Sequence, residues 1–142
     1  MTTNATTANN LLLLTFNATT WANIAINATS SPATSLYVAL HTADPTASGN
    51  QTSNEVAYTG YARVAVARTG SGWTVTSNAV SPVSNIVFPT GTGGSGTATF
   101  ASIGMASSGA GIILWSGPIS PAIVCGNGVT PALTSSSALT IS

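Results

Sequence analysis

The chain reads as mainly β, an antiparallel β-sandwich or barrel preceded by an N-terminal arm that carries a short helix. Three observations predict this. After residue 35, apolar residues recur with the two-residue alternation of half-buried strands. Gly, Pro and Asn punctuate those short runs, as turns between antiparallel strands require. No stretch after residue 30 keeps a helical period.

The elements follow in chain order. Residues 1–9 are Thr, Asn and Ala apart from the initial Met, and read as an arm that is mobile or docked on something else. In residues 10–28, Leu14, Ala18, Trp21 and Ala25 fall at spacings of four, three and four, which lines one helical face. Asn9 or Asn10 supplies a cap. The Thr and Asn content lowers helix propensity, so an irregular strand is the other reading. Residues 1–34 are therefore taken as the arm and 35–142 as the β domain.

Strand pattern begins at Ser35, with Leu36, Val38 and Leu40 on one face and Tyr37, Ala39 and His41 on the other. Asp44-Pro45 and Ser48-Gly49-Asn50 mark a long loop. Tyr61–Arg68 alternates again, and Gly70-Ser71-Gly72 leads into Trp73–Thr76 as the returning strand of a hairpin. Further strands are expected at Ile86–Phe88, Thr97–Ile103, Ile112–Trp115, Ile119–Val124 and Ala138–Ile141. Between them stand Pro89–Gly96, Ala106–Gly111, Gly117-Pro118 and Gly126-Asn127-Gly128. The Gly-rich 89–96 segment lacks the Lys of a phosphate loop and precedes a strand, so it reads as a flexible hairpin loop.

Composition excludes most functions. Of 142 residues only Asp44, Glu55, Arg63 and Arg68 are charged, 3% where about 25% is ordinary. There is no Lys, and His41 and Cys125 are single. Two arginines cannot build a phosphate-binding groove, so nucleic acid is not an expected partner, and neither is a charged membrane surface. The run Leu11-Leu12-Leu13-Leu14-Thr15-Phe16 is shorter than the roughly 20 apolar residues of a membrane span. With 44% hydrophobic residues and zero net charge the chain folds rather than staying disordered. Zero net charge also favours association. Its 23 Thr, 19 Ser and 11 Asn either coat a surface that meets other protein or reflect the habit of the genome.

Catalysis is not expected. Asp44 and Glu55 are the only carboxylates and nothing in their spacing brings them together. His41 lies three residues from Asp44, but no Ser sits in a nucleophile elbow, and the alternation turns His41 outward or towards a neighbour. Metal binding needs three or four ligands, more than one site could gather here, and no cofactor is implied. Cys125 in Ile123-Val124-Cys125 reads as a buried, inert thiol. Arg63 and Arg68 share one expected strand at a spacing that points them to opposite faces, and Glu55 is expected to pair with Arg63 and fix the loop to the sheet. Trp21, Trp73 and Trp115 are spread as core or interface anchors, and Tyr58 and Tyr61 belong at a subunit contact or in turn packing. The expected contact residues are Leu11, Leu12, Leu14, Phe16, Trp21, Tyr58 and Tyr61.

The segment Leu36-Tyr37-Val38-Ala39-Leu40-His41-Thr42-Ala43-Asp44-Pro45, followed by Glu55-Val56 and Gly60-Tyr61-Ala62-Arg63, resembles small virion structural proteins of tailed bacteriophages. The later order Ile86–Phe88, Thr97–Ile103, Ile112–Ser116 is similar to the same group. The resemblance covers roughly residues 10–141, is most specific at 36–63, and departs in the uncharged, Thr/Asn-rich N-terminal segment. It implies a non-enzymatic virion protein of the tail-fibre-like or minor head kind. Together with the composition it favours a capsid decoration or cement protein. Such a protein would bind the major capsid protein at the capsid surface, self-associate as a trimer or other symmetric group, and reside in the host cytoplasm during assembly. A tail-tip or tail-fibre-associated protein bound to tail proteins is the alternative, and a receptor- or glycan-binding β module is the alternative of another class.

Overall fold

A computed structural model describes residues 5–21 and 33–141. It contains one helix, α1 (Ala5–Phe16), and nine strands. These are β1 (Ser35–His41), β2 (Val64–Ala67), β3 (Trp73–Thr76), β4 (Ala79–Pro82), β5 (Ile86–Val87), β6 (Ser95–Gly104), β7 (Ile113–Gly126), β8 (Ala132–Leu133) and β9 (Leu139–Thr140). The sheets are ordered β2-β1-β6-β7, β3-β4-β9 and β5-β8. The chain is mainly β, with antiparallel sheets and a short helix near its start, and among the described residues no sheet closes into a barrel. The helix is not long and apolar enough to cross a membrane.

Contacts divide the chain into two compact units. One draws on Met1–Ser35, Val66–Asn85 and Thr134–Ser142, and the other on Leu36–Ala65 and Ile86–Leu133. In the first, α1 buries Ala8, Leu12 and Phe16, four residues apart and so on one face. The Phe16 ring meets the buried Trp73 edge-on, centroids 4.8 Å apart. The helix thus starts earlier than the sequence pattern predicts, inside the stretch read as an arm, and stops at Phe16. Ala18 turns left-handed at φ 54°, and the amides of Asn17 and Thr19 both return to the Leu13 carbonyl. The predicted continuation over 22–28 lies outside the described residues, as do the first four residues of the arm.

The Arg68 guanidinium closes that helix. It donates to the carbonyls of Thr15, Leu14 (2.6 Å) and Ala33 (3.3 Å), so a cation sits where the last turn leaves carbonyls unpaired. Trp73–Thr76 pairs with β4 through a two-residue turn at Ser77-Asn78, with Ser77 at φ 57°. The predicted hairpin of 61–68 with 73–76 is therefore not formed. The Tyr61–Arg68 segment supplies the outer strand β2 beside β1 instead.

In the second unit β1 pairs with β6 from Tyr37↔Gly104 to His41↔Phe100, and β6 pairs with β7. Leu36, Val38, Leu40, Val56, Phe88, Ala98 and Cys125 are buried there. The two strands predicted at 112–115 and 119–124 are one strand with irregularities. Between Ala98↔Ile123 and Phe100↔Pro118, β6 advances two residues while β7 advances five; between Ile103↔Trp115 and Gly104↔Ile113, one against two. Pro118 and Pro121 fit because β7 ends the sheet, where a missing N–H breaks no ladder on its outer side. Pro89–Gly96, predicted as a flexible loop, is tied down: Thr59 bridges Gly93, and Gly91 bridges Asn127. Gly91 leaves no room for a side chain, since a Cβ there would stand 2.1 Å from the Gly126 carbonyl oxygen.

Candidate functional site

Every acidic, arginine and histidine side chain lies between positions 41 and 68. Three of these groups, His41, Glu55 and Arg63, gather in the second unit where the loop after β1 returns to the sheet. The return is fixed by backbone bonds from Thr42 to Asn54 (2.8 Å) and from Val56 to Leu40 (2.9 Å), so that Glu55 stands opposite His41.

Arg63 is the hub. Its Nε and Nη2 donate to the two oxygens of Glu55 at 2.7 and 2.8 Å, a bidentate pair. Its Nη1 donates to the Ala106 carbonyl at 3.0 Å and Nη2 to that of Gly109 at 2.8 Å. The Arg63 side chain is 2% exposed and that of Glu55 17%. The bond to Glu55 holds the guanidinium pKa above its ordinary value, outweighing burial, which pulls it down. Tyr61 completes the group: its hydroxyl donates to Glu55 (3.0 Å) and accepts from the Leu40 amide (3.0 Å). Burial pushes that phenol well up, so it stays protonated.

Beside this hub His41 is fully buried, so of the two orientations that alternation allows, outward or towards a neighbour, the outward one is not taken. The reason is that the end of β1 is covered on both faces: Val38, Ala39, Leu40 and His41 are all buried in succession. The polar ring is tolerated because both nitrogens are engaged. Nδ1 lies 2.8 Å from the Ser53 carbonyl, which can only accept, so Nδ1 carries the proton. Nε2 is then the acceptor for the Ser102 hydroxyl at 2.7 Å. Burial lowers the His41 pKa; the Ser53 bond and Glu55 oppose this, and Arg63 adds to it. Gln51, also fully buried, donates from its amide to Gly111 (2.9 Å) and from Nε2 to Tyr37 (3.3 Å), while its Oε1 accepts from Ala106 (2.9 Å). Arg63 and Gln51 together hold the 105–112 turn from beneath.

A hydroxyl on a histidine whose other nitrogen meets a carbonyl has the outline of a nucleophile and base. Ser102 and His41 are both essentially unexposed, however, covered by the loop and the sheet. Asp44 takes no part: it is exposed, and its carboxylate accepts from the Thr46 amide at 2.8 Å in a local turn. Among the described residues no three His, Cys, Asp or Glu are grouped to hold a metal. Burial raises the Cys125 thiol pKa, which keeps it unreactive.

The expected contact residues are dispersed. Leu12, Phe16 and Tyr58 lie buried in the interior of the chain. Leu11 is partly exposed, and Leu14, Trp21 and Tyr61 are half-buried. Tyr58 and Tyr61 do meet, edge-on at 5.4 Å, and Tyr61 stacks on Phe88 at 6.2 Å, so their aromatic surface is spent within the unit. The apolar side chains that face outward include, besides Leu11, Val83 and Val87, Met105 and Ile112, paired at the base of the turn that Arg63 holds, and Val124 further along β7. Ile112 is 66% and Val124 68% exposed. Period-two reasoning could not find Val124, because the irregularities in β7 shift which face each residue occupies, and Met105 and Ile112 lie just outside the strands.

A family model described as "Podophage GP4 fiber I protein gp80" matches residues 2–142. The chain belongs to this family. It is a structural protein of a tailed-phage virion. The gp80 match spans the helix, both units and the buried cluster alike. Curated proteins were also compared, and none matches.

Proposed function

We propose that this gp80-family chain is a non-enzymatic subunit of the phage tail fibre or of the tail parts that carry it. It would hold its neighbours, including further copies of itself, through uncharged surface. The family description carries this reading, because it names a fibre and extends over nearly the whole chain. It favours the tail alternative over the capsid coat, which draws on the resemblance together with the composition. Two features of the molecule support a binding rather than catalytic role. The charges sit in one segment where two of the four neutralise each other, and Met105, Ile112 and Val124 stand outside on elements braced from within. Apolar surface of this kind contributes about 25 cal/mol per Å² covered, before the costs of association.

Copy number and position in purified particles test the assignment. A few copies at the tail, seen by labelled antibody in electron micrographs, are the expected result. Hundreds of copies over the head would establish a capsid decoration protein, and binding of the isolated chain to a glycan array would favour a receptor-binding module. Attachment without charge should also survive about 1 M NaCl, where screening reaches within a few ångströms.

A further inference from the structure

We propose that His41 is an acid-operated latch: neutral, it ties the loop of residues 42–62 to the sheet, and protonated, it lets the 42–54 part of that loop open. The proposal stands on the packing of the second unit and does not depend on the fibre reading.

The chain is unusually simple to titrate. Apart from the α-amino group, His41 is the only group whose ordinary pKa falls between about pH 5 and 8. It is fully buried, with its Nδ1–H spent on Ser53 of the loop and its Nε2 receiving the Ser102 hydroxyl of β6. Adding a proton at Nε2 makes that nitrogen a donor. Ser102 must then turn its hydroxyl proton elsewhere, and a full positive charge is left without solvent.

The groups facing the ring do not neutralise that charge. Glu55, opposite His41 in the bridge, already accepts two guanidinium N–H bonds and the Tyr61 hydroxyl. Arg63 repels an imidazolium but by less than Glu55 attracts one, and burial, against the Ser53 bond and Glu55, is why the ring resists protonation. The Tyr61 phenol is neutral and engaged on both sides. From β6 come the Ser102 hydroxyl and the register partner Phe100, neither charged. Asp44 lies three residues along the loop, but it is exposed and turned to the Thr46 amide. Burial raises the phenol pKa of Tyr58 in the loop, so it stays neutral, and Tyr37 on β1 carries no fixed charge.

Water must therefore reach the protonated ring, and the cover that yields at least cost is the loop. Strand β6 is an inner strand of its sheet, bonded on both sides. The stretch from Thr42 to Asn54 is largely exposed. Its ends are joined by the Thr42–Asn54 pair, and it is held through Gln51, the Thr99 hydroxyl on the Thr42 carbonyl and the His41–Ser53 bond itself. A folded-state pKa below the ordinary 6.5 means that the closed form gains its advantage above pH 6.5 and loses it as pH falls towards the depressed value. Within that window the open population rises by up to about tenfold for each pH unit.

The test is hydrogen exchange of the whole chain read by mass spectrometry at pH 7.5 and pH 5, corrected for intrinsic rates, on wild type and His41→Gln. In wild type, peptides covering 42–54 should lose protection at pH 5 while those of β6 and β7 keep it, and in His41→Gln loop protection should not change with pH. Unchanged loop protection in wild type overturns the latch, and so does an equal acid response in the variant, which would assign the effect to a carboxylate. Should the variant not fold, the single histidine resonance of the wild type decides. A midpoint below 6.5 shared with loop amide shifts supports the proposal. An ordinary midpoint, or loop amides that do not move with it, refutes it.

Discussion

Replacing Arg63 by Met removes one side chain and four hydrogen bonds, two to Glu55 and one each to the Ala106 and Gly109 carbonyls. The magnitude comes from what is left behind. The Glu55 carboxylate would stay largely covered with its cation gone, and breaking one partner of a buried pair costs about 3–5 kcal/mol. At roughly 2–4 °C per kcal/mol for a chain of this size, the melting temperature should fall by roughly 6–20 °C. Urea unfolding at neutral pH measures the loss as a lower midpoint at constant slope. The double variant Arg63→Met, Glu55→Met should recover about 1 kcal/mol or more over the single one, because it leaves no lone charge inside. A loss below about 1 kcal/mol for Arg63→Met would refute the reasoning, since that is what a solvent-exposed pair contributes. A double variant less stable than the single one would refute it as well.

Arg68→Met should release the last turn of α1 at a cost of about 1–3 kcal/mol, with a fall in the helical circular-dichroism signal. Gly104→Ala would place a Cβ 2.3 Å from the Gln51 side chain and should cost about 1–3 kcal/mol, whereas Gly117→Ala meets open space and should leave the melting temperature within a few degrees. Ile112→Lys with Val124→Lys should change stability by no more than about 0.5 kcal/mol each and yet reduce recovery of the protein in assembled particles. Full recovery would place the contact surface elsewhere.

The sequence is most legible where local rules act alone. β1 runs from Ser35 to His41, Trp73–Thr76 and Ile86-Val87 are strands, and Thr97–Ile103 lies within β6, because alternation and turn residues agree there. The bond of Glu55 to Arg63 could be anticipated because so few charges exist that the choice of partners is small. What could not be read depends on distant residues. His41 obeys the alternation that points it away from Leu40, but Ser53 and Ser102 cover that side too. Gln51 gives no signal in a Thr/Ser/Asn-rich loop until Gly104 and Gly111 are seen to make room for it. Arg68 finds its acceptors 53 and 54 residues earlier, at the end of a helix whose start is itself displaced from the apolar pattern. Strand β4 escaped because Ala79–Pro82 carries only Ala and Val as apolar residues before its proline.

Strand β7 ends its sheet without a single lysine or acid to deter an incoming strand, the device most soluble proteins use. Two slips of register and two prolines break the outer row into pieces too short to template a zipper. Safeguards made of charge fade with ionic strength and switch with acidity; one made of backbone shape does neither. An edge guarded by its own backbone keeps that guard in any salt and at any acidity that leaves the strand folded.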